Sequence, residues 1–141
     1  MKITDSQLEA VGYLFEQANG NELGSVESSI VKSSGLMNCD LEEITKGIID
    51  LLNGHERRLV KVRIAAYWAL SKKYDRDLLP LLQKWLQTEL AKKETDAVFQ
   101  LMIALDNLEE PIFGEDRDGG YSSRDVGLNL RDADKYLKTV R

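Results

Sequence analysis

The stretch Val62-Arg63-Ile64-Ala65-Ala66-Tyr67-Trp68-Ala69-Leu70 decides how this chain folds. Wound as a helix it is apolar on nearly every side except at Arg63, and a helix of that kind must be covered all round. Val62, Ala66, Ala69 and Leu70 match Ala97, Leu101, Ala104 and Leu105 at a constant offset of 35 residues. The segments before them also correspond: Ile44, Ile48, Leu51 and Leu52 match Leu78, Leu82, Trp85 and Leu86 at an offset of 34. A two-helix unit recurring at this period marks an α-solenoid, in which each hairpin buries its face by stacking on its neighbour. The expected fold is therefore all-α, a short α-solenoid of antiparallel helical hairpins with about six or seven helices.

The rest of the chain is read outward from that pair. A first helix is expected over 5–19, capped by Thr4 or Asp5, closed by Gly20, with Leu8, Val11, Leu14 and Phe15 on one apolar stripe. Val26, Ile30 and Val31 suggest a short helix stopped near Gly35. Asp40 opens the next helix with Glu43 three residues on, as in a capping box, and Gly54 ends it. The basic stretch Arg57, Arg58, Lys61 and Arg63 leads into the helix that ends near Lys73. Asp75 or Asp77 starts another, with Pro80 in its first turn, where a missing N–H costs little. A long helix over 93–108 is cut by Pro111. Residues 114–123 read as a solvated, mobile loop rich in glycine and acid, and a terminal helix over about 131–140 buries Ala133, Tyr136 and Leu137.

Composition bounds the function. A length of 141 residues suits one domain, 1–141, and 43% hydrophobic with 30% charged residues suits a globular protein. The single cysteine, Cys39, allows no intrachain disulfide, which fits a reducing, cytoplasmic compartment. No basic start followed by an apolar run resembles a secretory signal, and no apolar run is long enough for a membrane span. A net charge of −5 argues against nucleic-acid binding and suits solubility or a basic protein partner.

Residues 62–70 resemble the second helix of a HEAT repeat, whose pattern is V-R-x-x-A-x-x-A-L. The following Asp77-Leu78-Leu79-Pro80-Leu81-Leu82 resembles the start of the next repeat. The likeness covers about 40–108; the second copy departs from it with Val98 in place of the arginine and Leu101 in place of the first alanine. The whole chain is similar to small bacterial immunity proteins with HEAT-like folds. Their likeness rests on a short acidic chain, two imperfect repeats and the segment Leu128-Asn129-Leu130-Arg131-Asp132-Ala133-Asp134-Lys135-Tyr136-Leu137. The resemblance implies binding to a cognate toxin delivered by a neighbouring cell, often a basic nuclease, by covering its active site or substrate groove. An adaptor that binds a helical peptide or protein is the alternative, and a HEAT-like enzyme a further one.

Motifs for chemistry are few. His55 is the only histidine and follows Gly54 in a turn. Cys39 stands before a helix N-terminus, with no base alongside to make it a nucleophile. No nucleophile elbow, P-loop, dinucleotide fingerprint or zinc spacing is present, so no catalytic residue, cofactor or metal is assigned. Placing Gly119 at the turn of a calcium loop puts Gly114 where the first acidic ligand belongs, and that reading fails. Two sets of partner-binding candidates remain. Tyr67 and Trp68 occupy variable positions of the repeat and are either core of a central helix, covered by the N-terminal helix and the C-terminal segment, or anchors in an open groove. Glu109, Glu110, Glu115, Asp116 and Asp118 surround a helix exit, where the helix dipole disfavours acid, and the local helix has no need of them.

Overall fold

The structure is a computed structural model that describes residues 1–54 and 59–140. His55, Arg57 and Arg58 lie outside the described residues. Among the described residues the regular structure is seven α-helices and two short 3-10 turns, with no strand. The α-helices are α1 (Leu8–Ala18), α2 (Ser25–Ser34), α3 (Leu41–Asn53), α4 (Val60–Ser71), α5 (Leu79–Lys92), α6 (Thr95–Asn107) and α7 (Val126–Thr139). The chain divides into two compact units, Met1–Lys73 and Tyr74–Arg141, and each holds one copy of the sequence repeat. All the positions aligned at offsets of 34 and 35 are buried in both copies.

In the first unit, a 3-10 turn over Asp5–Gln7 precedes α1, and the Thr4 amide donates to Gln7 Oε1 at 3.0 Å. Gln7 Nε2 in turn donates to the Ser34 carbonyl at 3.0 Å, tying the start of α1 to the end of α2. Gly35 closes α2 in the left-handed region (φ 79°), as its sequence position predicts. Asp40 caps α3 by accepting from the Glu42 amide at 3.4 Å, while Glu43 pairs with Lys46 at 3.7 Å instead of completing a capping box. Val26, expected on the apolar face of α2, is 67% exposed.

Helix α4 is the central helix of this unit, packed by α1 and by α3. Val62, Ala66, Tyr67, Ala69 and Leu70 are buried along it. Its closest neighbour is set by Gly12: a Cβ there would lie 2.2 Å from Trp68 Cζ3. The glycine lets the six-membered ring of the indole come up against α1, and Tyr13 meets the same ring in a T-shaped contact at 5.7 Å. Lys72–Glu16 at 3.2 Å and Asn19 Nδ2 donating to the Lys72 carbonyl at 2.7 Å fasten the other end of the pair.

In the second unit, Asp75 caps a 3-10 turn over Arg76–Leu78 by accepting from the Asp77 amide at 2.9 Å, and Pro80 falls in the first turn of α5. Two residues, Lys93 and Glu94, reverse the chain into α6. Lys93 is left-handed (φ 55°), and the Glu94 amide donates back to the Glu89 carbonyl at 3.1 Å. That is the paired-bond helix stop usually built on glycine. Helix α6 is packed by α5 and by α7, so the C-terminal segment does cover an apolar central helix. Helix α7 begins at Val126, five residues before the expected start at 131.

Gly12→Ala tests the α1–α4 approach. Alanine's better helix propensity favours the variant by about 1 kcal/mol, but overpacking against the indole costs about 1–3 kcal/mol. Urea denaturation should show a net loss. In a Trp68→Leu background the same alanine should cost nothing further; stabilisation by Gly12→Ala alone would contradict the contact.

Candidate functional site

The candidate site is the exit from α6 and the segment that returns to α7, all within the second unit. Helix α6 stops with Leu108 as cap; the Glu109 amide donates to the Asp106 carbonyl (2.9 Å) and the Glu110 amide to the Leu105 carbonyl (3.1 Å). This stop needs one left-handed residue, and here it is Glu109 (φ 65°). Glycine would take that conformation without steric cost, whereas an L side chain is disfavoured there. Arg76 then reaches up from the 3-10 turn, donating to the Leu108 carbonyl and lying 3.4 Å from Glu110.

The loop after Pro111 is anchored through one buried carboxylate, Asp132 of α7, which is 3% exposed. Its Oδ2 accepts from the Gly114 amide at 2.9 Å and from Arg117 Nη1 at 3.1 Å. Its Oδ1 accepts from Arg131 Nε at 3.0 Å and Nη2 at 2.9 Å. Burial pushes this carboxyl up, but the Gly114 amide, Arg131 and Arg117 outweigh it and hold it below the usual carboxylate range. Asn129, one turn earlier on the same buried face, accepts from Arg117 Nη1 at 2.8 Å and donates to the Ser122 carbonyl at 2.9 Å. Gly114 is crowded: a Cβ would come 2.7 Å from Asp116 Oδ1 and 2.9 Å from Arg131 Nη2, so a larger residue would displace the ends of that ion pair.

Residues 114–123 are therefore not the freely solvated loop expected from their composition. The Arg117 side chain is 3% exposed. Its Nη2 lies 3.5 Å from Asp125, near enough for charge attraction but misaligned for a hydrogen bond. A groove of about 750 Å³ separates the loop from α7, with Phe113, Asp116, Arg131, Lys135 and Tyr136 among its walls. At its base Tyr136 donates to Glu110 Oε1 at 2.6 Å and accepts from Gln83 Nε2 at 2.9 Å. Burial pushes the phenol up to about 12; the Gln83 amide acts against that rise and the Glu110 carboxylate adds to it.

The five acidic candidates separate into two groups. Glu110 is engaged by Tyr136 and Arg76, and Asp116 forms a two-bond pair with Arg131 at 2.8 and 2.9 Å. The fold does use these two charges, contrary to the expectation that none is needed locally. The Arg131 guanidinium holds Asp116 below the usual carboxylate range, partly offset by desolvation. Glu109, Glu115 and Asp118 are exposed and have no cationic partner among the described residues. The aromatic candidates also separate. Tyr67 is fully buried, which agrees with the core alternative and rules out the open groove as its place, and Trp68 is half-buried against Gly12 and Tyr13. Sequence reading missed Asn129 and Asp132. Their signal was spacing: with Ala133, Tyr136 and Leu137 they form one unbroken helical face.

Asp132→Asn should cost the second unit up to about 3–5 kcal/mol, since it leaves the buried Arg117 with only the exposed Asp125 as a charge partner. The folded Asp132 carboxyl titrates below its unfolded value, so its contribution is complete above the ordinary carboxylate pKa, about 3.9, and is lost as pH falls through the folded value. Urea denaturation across that range, followed by Trp85 fluorescence, should show a smaller acid slope in the variant. The raised Tyr136 phenol has the opposite sign: its contribution is complete below about pH 10 and is lost as pH climbs towards about 12. Alkaline absorbance titration should show one tyrosine ionising near that upper value, absent in Tyr136→Phe. The chain matches no family model, and neither the curated proteins nor the solved structures compared with it contain a match.

Proposed function

We propose that this chain is a protein-binding module, and that it serves as an immunity protein that neutralises a basic toxin by covering its active site or substrate groove. The observation that carries the reading is the charge of the α6 exit. Residues 109–125 hold six carboxylates against two arginines, a net −4 within a chain whose total is −5. Glu109, Glu115 and Asp118 remain exposed there on a loop fastened from beneath by Asp132. Glu109 also breaks two local rules at once, an acid at a helix C-terminus and a left-handed residue that is not glycine. Local exceptions of this kind are expected where function constrains a position.

The HEAT-like and immunity-protein resemblance of the sequence supplies the toxin. The mechanism it implies is occlusion, with complementary charge speeding association and selecting the partner. The adaptor reading has less to rest on, because Tyr67 is inside the core.

Co-expression with the product of the adjacent gene tests the proposal. The wild-type chain should bind that product and restore growth. Charge reversal at Glu109, Glu115 and Asp118 together should slow association by roughly tenfold or more, an effect that high salt removes. Absence of both binding and protection would overturn the reading.

A further inference from the structure

The exit segment also carries an aromatic stack that none of the preceding roles uses. Phe99 of α6 and Phe113 lie 6.3 Å apart with planes at 60°. Phe113 stacks on Tyr121 with centroids 3.8 Å apart and planes within 6°. The Arg117 guanidinium carbon is 5.3 Å from both centroids. A point equally distant from two closely stacked rings lies beside the pair and over neither face. Arg117 is therefore positioned by Asp132 and Asn129, and it does not cover the outer face of the stack. Tyr121 keeps 43% of its surface exposed although Phe113 covers one of its faces.

Three features make that ring a binding element. It is held in place before any partner arrives, which lowers the ordering cost of association. It offers a π face, which attracts cations. It lies in the same loop as Glu115 and Asp118, whose charges no described cation neutralises; Arg117 and Arg131 are engaged by Asp132 and Asp116, and Arg124 is exposed and forms no ion pair or ring contact among the described residues. A planar, weakly hydrated guanidinium suits an aromatic face beside carboxylates better than a compact ammonium does. We infer that Tyr121, backed by Phe113, is the seat for an arginine side chain of the basic protein partner, with Glu115 and Asp118 drawing that side chain in. This deepens the protein-binding reading above and rests on it.

The test is an NMR titration of the isotope-labelled full chain with capped hexa-arginine and hexa-lysine peptides. Amide shifts should centre on residues 113–121, and hexa-arginine should bind more tightly. Tyr121→Ala should weaken hexa-arginine roughly two- to fivefold and abolish its advantage over hexa-lysine, while Tyr121→Phe keeps it. Glu115→Gln combined with Asp118→Asn should weaken both peptides alike. Shifts centred elsewhere, or an arginine preference that survives Tyr121→Ala, would overturn the inference. Failure of the co-expression assay with the arginine preference behaving as described removes the toxin and leaves the aromatic seat standing. Protection by the wild type with the preference intact in Tyr121→Ala removes the seat alone.

Discussion

Asp132 is a carboxylate almost out of water, and the second unit is arranged to make that tolerable. An ionised carboxylate loses several kcal/mol of hydration on burial unless charge and hydrogen bonds replace it. Here four donors replace it: a backbone amide from Gly114, one nitrogen of Arg117 and two of Arg131. Each donor comes from a different part of the return path or from α7 itself, so satisfying the charge also fixes the path. Gly114 must approach closely, Arg117 must turn inward, and Asn129 must hold Ser122. Removing the carboxylate leaves a buried guanidinium, and that asymmetry makes the network far costlier to break than its individual bonds suggest.

The same network decides which charges the surface has to offer. Arg117 is drawn inward by Asp132, Arg131 is paired at the surface by Asp116, and Glu110 is held by Tyr136 and Arg76. What remains outside without an ion pair is Glu109, Glu115, Asp118, the exposed side of Tyr121 and one cation, Arg124. A loop that spent its acids on its own arginines would present a neutral face. Sorting the charges, with Arg117 turned in, Arg131 paired and three acids left unpaired, concentrates a modest net charge into a local field suited to a basic partner.

The repeat core was legible in the sequence because its signal is hydropathy at fixed spacing. Ile44, Ile48, Leu51 and Leu52 and their counterparts from Leu78 to Leu86 are buried at the positions the offset specifies. The central place of α4 and α6 followed from helices apolar on all sides. The first turn of α7 was not legible, because its buried position is Asn129, with Asp132 following one turn on, while its exposed positions include Val126 and Leu128. Hydropathy inverts there, and a charged residue buried by pairing looks like a surface residue until its partners are known. The order of the loop was hidden for the same reason: glycine and acid imply solvation, whereas Arg117 supplies a buried anchor that composition cannot reveal. Tyr67 and Trp68 are adjacent and similar in chemistry, yet only the packing of α1 on α4, with Gly12 beneath the indole, separates a core ring from a half-exposed one.

Native-state hydrogen exchange on the second unit tests the central claim most directly. If Asp132 fastens the exit segment, the Gly114 amide should exchange slowly, with protection close to that of α6 and α7. That protection should collapse in Asp132→Asn, by more than the α5 amides lose through the general destabilisation of the unit. A Gly114 amide that exchanges at the rate of an open loop in the wild-type chain would contradict the account.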